Sequence, residues 1–118
     1  MPSQSTTAFK ILSALDWQSW KSTGIFTGAS IDITDGYIHL STASQAAETY
    51  HKYFEGQPDL VLCEVDLEML KESVKWEESR GGQLFPHVYG AIKVEHIAKV
   101  KEGVTAEIMD QLAEKGLA

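Results

Sequence analysis

The chain has 118 residues, a mass of 13.0 kDa and one cysteine, which fits a single domain able to bury a core without a disulfide or metal staple. Apolar residues make up 43% and charged residues 23%, a balance too apolar for a disordered chain. Ten basic against 17 acidic residues leave a formal net charge of −7, which argues against general nucleic-acid binding and against docking on anionic lipid.

Met1 to Thr7 has no basic segment leading into an apolar run, so no secretory signal is expected, and no stretch is long enough to span a membrane. Residues 1–7 are expected to form a flexible N-terminus and residues 8–118 a single domain that includes a C-terminal helix. Ala8 to Leu12 reads as a strand with Phe9 and Ile11 inward and Lys10 on the opposite face. Ser13 and Asp16 resemble a capping box for a helix carrying Trp17 and Trp20 on one face, and Gly24 can stop it. Gly24 to Gly36 is expected to be a polar loop over a site. Tyr37 to Ser41 reads as a strand with Ile38 and Leu40 on one face and Tyr37, His39 and Ser41 on the other.

Thr42 and Gln45 form a capping box for a helix running to about Phe54, with Ala46, Ala47, Tyr50 and Phe54 as its apolar stripe. Leu60 to Asp66 is an apolar, β-rich strand that contains Cys63, expected to be a buried, inert thiol. One thiol and no signal imply a reducing, cytoplasmic setting. Leu67 to Lys71 reads as one helical turn, Val74 to Glu78 as a strand and Ser79 to Gln83 as a turn. Phe85 to Tyr89 starts extended, because Pro86 disfavours helix before it. Ile97 to Lys101 closes the sheet, and Thr105 caps a final helix with Ile108, Met109, Leu112 and Ala113 as apolar positions. The fold class is α+β with mostly antiparallel pairing, because several connections are too short for a helical crossover.

Two clusters could carry chemistry. In Asp35-Gly36-Tyr37-Ile38-His39-Leu40-Ser41-Thr42, His39 sits just before a helix N-terminus, where backbone N–H groups favour an anion. There it could act as acid or base; the alternative is a half-buried histidine bonded to a neighbouring carbonyl. In Ser79 to Gly90, Arg80 is the only arginine, set in a Gly-Gly turn, and a guanidinium suits phosphate or carboxylate. The alternative there is a surface salt bridge. Phe85, His87 and Tyr89 alternate onto one face, where they could stack a heterocycle or simply fill core. At most one of Glu77 and Glu78 can share that face. His51 reads as solvated, and His96 has no evident partner. No metal-ligand spacing is present, so no metal is expected.

The segments Gly-Tyr-Ile-His-Leu-Ser-Thr, Trp-Glu and Arg-Gly-Gly-Gln-Leu-Phe-Pro-His-Val-Tyr-Gly together resemble the family catalogued as domain of unknown function 952, over about Phe9 to Val100. The resemblance implies an ADP-ribosyltransferase-like fold: split antiparallel sheets with peripheral helices, and NAD held in the cleft between them. It places motif positions at Lys10, His39 and His87. Many family members carry histidine where this chain has Lys10, and no motif supplies the glutamate that ADP-ribosyltransferases use; Glu95 and Glu102 lie in none.

The leading expectation is a domain binding a nucleotide-like or other anionic small molecule. Lys10, Ser41, Thr42, Arg80 and Tyr89 would bind it and His39 and His87 would be catalytic, with NAD-linked ribosyl transfer as the reaction the fold suggests. One alternative is an NAD-independent acid–base enzyme, an isomerase or lyase acting on a small metabolite. Another is a non-catalytic interaction module. Neither nucleic acid nor membrane is an expected partner, and oligomeric state is left open.

Overall fold

The computed structural model describes residues 6–117, excluding the side chain of Arg80. It is a mixed fold of antiparallel sheets and four α-helices. The main sheet has the order β1-β4-β8, formed by β1 (Thr7–Ser13), β4 (Leu60–Asp66) and β8 (Ile97–Glu102). A second sheet has the order β3-β6-β5, formed by β3 (Ile38–His39), β6 (Leu84–Val88) and β5 (Val74–Glu78). A short ladder joins β2 (Ile25–Phe26) to β7 (Ile92–Lys93). The helices are α1 (Ala14–Thr23), α2 (Ser30–Asp35), α3 (Ala43–Tyr53) and α4 (Ala106–Lys115). None of them is long and apolar enough to cross a membrane.

The central strand β4 explains why its sequence is a nearly unbroken apolar run. Val61, Cys63 and Val65 face one core with Trp17, Trp20, Phe26, Ile38 and Val88. Leu60 and Leu62 face the other with Phe9, Ile11, Tyr50, Met109 and Leu112. A strand covered on both faces has no side left for polar residues. Cys63 is fully buried, and burial pushes its thiol pKa up to about 12. Helix α4 contributes to the second core through Met109 and Leu112, with Leu117 following it, so the last helix packs on its own chain.

The two sheets are stitched together beside β1. Phe9 N–H donates to Ser41 O at 2.7 Å and Ser41 N–H donates to Phe9 O at 3.0 Å. This bridge sets Lys10, the next residue of β1, against the end of β3. Within the second sheet, His39 pairs directly with His87. The junction of the sheets therefore gathers one residue from each of three strands.

Several boundaries differ from the sequence expectation. The strand expected from Ala8 begins at Thr7, and Thr6 O accepts a hydrogen bond from Leu67 N–H. Residues 1–5 of the expected flexible segment lie outside the described residues. The helical turn expected at Leu67 to Lys71 is a turn followed by a 3-10 segment at Lys71–Ser73. The expected Gly24 to Gly36 loop instead contains β2 and α2. Helix α2 is held from within. Asp32 Oδ2 accepts the Ala29 N–H at 2.8 Å, satisfying one of the donors that a helix start leaves open. Its exposure is inverted: Asp32 is 1% exposed whereas Ile31 and Ile33 are 61% and 67% exposed. A helix that buries its carboxylate and exposes its isoleucines is organised by polar contacts rather than by a core.

Candidate functional site

Asp32 is the hub of the junction. Its Oδ1 accepts from His39 Nδ1 at 2.6 Å and from His39 N–H at 3.0 Å. Lys10 Nζ donates to Oδ1 at 3.1 Å, lies 2.8 Å from Oδ2, and donates to His39 O at 3.1 Å. With the Ala29 bond, the carboxylate is enclosed by donors. Burial by itself raises the Asp32 pKa. The His39 hydrogen bond and the Lys10 charge outweigh it and hold the carboxyl far below its ordinary value. Burial pushes the Lys10 ammonium below its ordinary value, and Asp32 offsets part of that.

Lys10 was expected on the face opposite Phe9 and Ile11, and it is; but that face is interior, and Lys10 is 6% exposed. Gly28 makes room for the hub. Its φ is +122°, and a Cβ there would lie 2.8 Å from Asp32 Cβ. Only glycine allows the chain to pass so close in that conformation.

The second imidazole has its own carboxylate. His87 Nδ1 lies 2.7 Å from Glu77 Oε1, and the Tyr89 hydroxyl donates to the same oxygen at 2.8 Å. These bonds, His87's first, hold Glu77 below its ordinary pKa, and Glu77 pushes the Tyr89 phenol up to about 12. An ionised carboxylate only accepts, so Nδ1 carries the proton. In the neutral ring Nε2 is then a lone pair. It has no hydrogen-bond partner among the described residues. His39 differs: its Nε2 lies 3.0 Å from Asp35 Oδ2, so both of its nitrogens face carboxylates.

The two imidazoles are 5.4 Å apart, centroid to centroid. Tyr37 stacks on His87 at 4.2 Å and lies 4.8 Å from His39. All three line a cavity of about 500 Å³, within the usual range for a small-molecule site. Lys10, Asp35, Ser41 and Thr49 add polar wall, while Phe9, Ile11, Phe54 and Phe85 make an apolar end. The described residues contain no group of three His, Cys, Asp or Glu side chains arranged to hold a metal ion.

The structure thus brings together Lys10, Ser41, His39 and His87. Ser41 Oγ is hydrogen-bonded to Thr49 Oγ1 at 2.9 Å. Thr42 is not in the cavity wall, and its N–H donates to Gln45 Oε1 at 3.0 Å. That capping bond, correctly expected, consumes one of the donors assigned to an anion. The side chain of Arg80 lies outside the described residues. Tyr89 is not in the cavity wall and donates to Glu77, and the ring stacked on His87 is Tyr37. Neither Asp32 nor Asp35 stands out in the sequence as a site residue. Glu77 was one of two candidates, and the register settles the choice. Lys75 pairs with His87 and Glu77 with Phe85, so Glu77 shares the His87 face. His51, expected to be solvated, links α3 to α4 through Asp110 at 2.9 Å. The ring of His96 accepts the Lys93 N–H at 2.9 Å.

Solved structures of protein CC0527 from Caulobacter crescentus are similar to this chain. The crystal structure is 42% identical, covers 92% of this chain and 99% of that chain, and has a TM-score of 0.84. The solution NMR structure, also 42% identical, covers 92% and 98% with a TM-score of 0.79. No curated protein matches the chain. The model of a family described as protein of unknown function (DUF952) matches residues 11–100, a span from within β1 to within β8 that includes His39, His87, Asp32, Asp35 and Glu77. The chain belongs to that family.

Proposed function

We propose that the cleft is an acid–base site acting on a small organic molecule, with His87 as the base and His39 as the acid. The observation that carries this reading is the directly opposed His39–His87 pair on one cavity wall, each imidazole backed by its own carboxylate. An imidazole whose Nδ1–H is fixed on a carboxylate presents a basic Nε2 to a substrate, as His87 does. His39 faces a carboxylate on both sides of its ring, Asp32 at Nδ1 and the exposed Asp35 at Nε2, and as the acid it donates from Nε2 to a substrate oxygen that takes the place of Asp35. Such a pair suits proton removal beside a carbonyl with protonation of the oxygen, the chemistry of an isomerase or lyase.

NAD-linked ribosyl transfer is a second reading. Two antiparallel three-stranded sheets meet at the cleft, which supports kinship with the ADP-ribosyltransferase-like fold. The stacked Tyr37 and His87 rings offer a platform for a heterocycle. Against it, Lys10 and the Thr42 N–H are already engaged within the protein, which weakens the clasp a pyrophosphate would need. The buried Cys63 thiol fits a reducing, cytoplasmic location for either reading.

The test uses small carbonyl compounds in D2O, with loss of the C–H signal followed by proton NMR. Exchange catalysed by the protein and abolished by His87→Asn is expected. Absence of exchange across the panel, together with amide shifts at His39 to Ser41 and Phe85 to His87 on adding NAD or ADP-ribose, would replace the first reading with the second.

A further inference from the structure

We infer that Lys10 is a positioning residue for His39, acting through Asp32, and not a ligand-binding residue. This assignment rests on the reading of His39 as the acid of the cleft. Lys10 forms part of the cavity wall, and a lysine at the mouth of a cleft ordinarily suggests a contact to phosphate or carboxylate. The donor count says otherwise. An ammonium has three N–H groups. Around Lys10 Nζ stand three acceptors: Asp32 Oδ2 at 2.8 Å, Asp32 Oδ1 at 3.1 Å and His39 O at 3.1 Å. No donor remains for a ligand.

The same count assigns the role. Lys10 grips His39 from two sides. It holds the backbone through the His39 carbonyl, and it holds the ring through the carboxylate that accepts from His39 Nδ1 at 2.6 Å. Asp32 in turn accepts the His39 N–H at 3.0 Å. Backbone and ring of one histidine are therefore clamped by a single buried ion pair whose members are 6% and 1% exposed. A carboxylate this deep needs a cation to remain ionised, and an ionised carboxylate at Nδ1 is what fixes the ring's orientation. Exchanging a free cation for this clamp also explains how lysine can stand on the first strand without meeting a ligand.

Three measurements test it, two of them without any substrate. In the wild-type protein, reductive methylation should modify the exposed Lys52 and Lys115 while leaving Lys10 unreacted. Methylation of Lys10 at their rate would overturn the proposal. In protein labelled with 15N-histidine, the His39 Nδ1 proton should give a slowly exchanging low-field signal. In Lys10→Met that signal should be lost or exchange at least about tenfold faster, with the His87 signal kept as an internal control of folding. An unchanged His39 signal would overturn the proposal, and so would loss of both signals if Lys10→Gln, which retains a donor for Asp32, loses both as well. With the carbonyl probe that exchanges best, Lys10→Met should lower the exchange rate about tenfold or more and change probe affinity less than about twofold. A ligand-binding lysine would show the reverse. If His87→Asn leaves exchange intact, the acid–base reading fails, whereas methylation and the ring signals still decide the role of Lys10.

Discussion

Gly28→Ala should damage the protein in a manner that follows from one close approach. Gly28 has φ +122°, and a Cβ there meets Asp32 Cβ at 2.8 Å and Ile33 Cγ1 at 3.6 Å. The strain of a side chain at such a backbone angle costs about 1–3 kcal/mol. Overpacking against a carboxylate that cannot retreat adds about 1–3 kcal/mol. Asp32 cannot retreat because movement would break its bonds to Lys10, Ala29 and His39 together. The control is Gly103→Ala, where φ is +69° and nothing lies within 4 Å; there only the left-handed backbone is penalised, by about 1–2 kcal/mol. Urea denaturation of the two variants should therefore differ by about 1–4 kcal/mol, a large share of the roughly 5–15 kcal/mol that a domain has in total. Equal midpoints for Gly28→Ala and Gly103→Ala would refute the argument that Gly28 exists to admit Asp32.

Asp32→Ala leaves the Lys10 ammonium buried without its counter-charge and should cost about 3–5 kcal/mol by urea denaturation; a loss under about 1 kcal/mol would count against the network. The folded Asp32 pKa lies below its unfolded value. Its stabilising contribution is thus present above about pH 4 and is lost as the pH falls towards the folded value. Asp32→Asn should flatten the acid limb of the stability profile, and an unchanged limb would contradict this. His51 behaves oppositely. Its hydrogen bond to Asp110, partly opposed by desolvation, raises its folded pKa, so its contribution is complete below about pH 6.5 and is lost as the pH rises through that raised value. Amide exchange in α4 should quicken across this range in the wild type and lose that step in Asp110→Asn. In an absorbance titration one tyrosine should ionise only near pH 12, and Glu77→Gln should return Tyr89 towards the ordinary range. Cys63, fully buried with its pKa pushed to about 12, should resist a thiol reagent until the chain is unfolded.

Elements whose pattern comes from their own packing were legible in the sequence. Strands β4 and β5 have the expected bounds because apolar runs closed by turn residues mark them locally. The Thr42–Gln45 cap was legible because both partners lie within one turn. Helix α2 was not, because its determinant is Asp32, whose partners Lys10 and His39 lie 22 and 7 residues away. Its Ser-Ile-Asp-Ile-Thr-Asp sequence buries the residue that pattern reading assigns to solvent. The site divides in the same way. His39, Ser41 and Tyr37 fell on one face by strand alternation, and His87 by the extended Phe-Pro-His segment. Glu77 could be separated from Glu78 only by the β5–β6 register, which no single segment encodes.

The two carboxylates differ in burial, and the difference suits the roles proposed for their imidazoles. Asp32 is 1% exposed and bonded on both oxygens, whereas the Glu77 side chain is 37% exposed. An acid must present its proton in one direction, and a rigid interior ion pair holds the His39 ring against rotation. A base must afterwards release the proton it has taken. His87 is itself 3% exposed, so its direct route to water is poor whenever a ligand fills the cavity. Its Nδ1–H points at a half-exposed carboxylate, with the Tyr89 hydroxyl on the same oxygen. Under the acid–base reading, Glu77 stays ionised beside the His87 imidazolium, the Nε2 proton returns to the substrate or exchanges with water once the cavity empties, and Asp32 keeps its place. Exchange at a carbonyl probe should then slow in Glu77→Gln, because the imidazolium formed on His87 loses its counter-charge. In Asp32→Asn it should slow even for a single proton transfer.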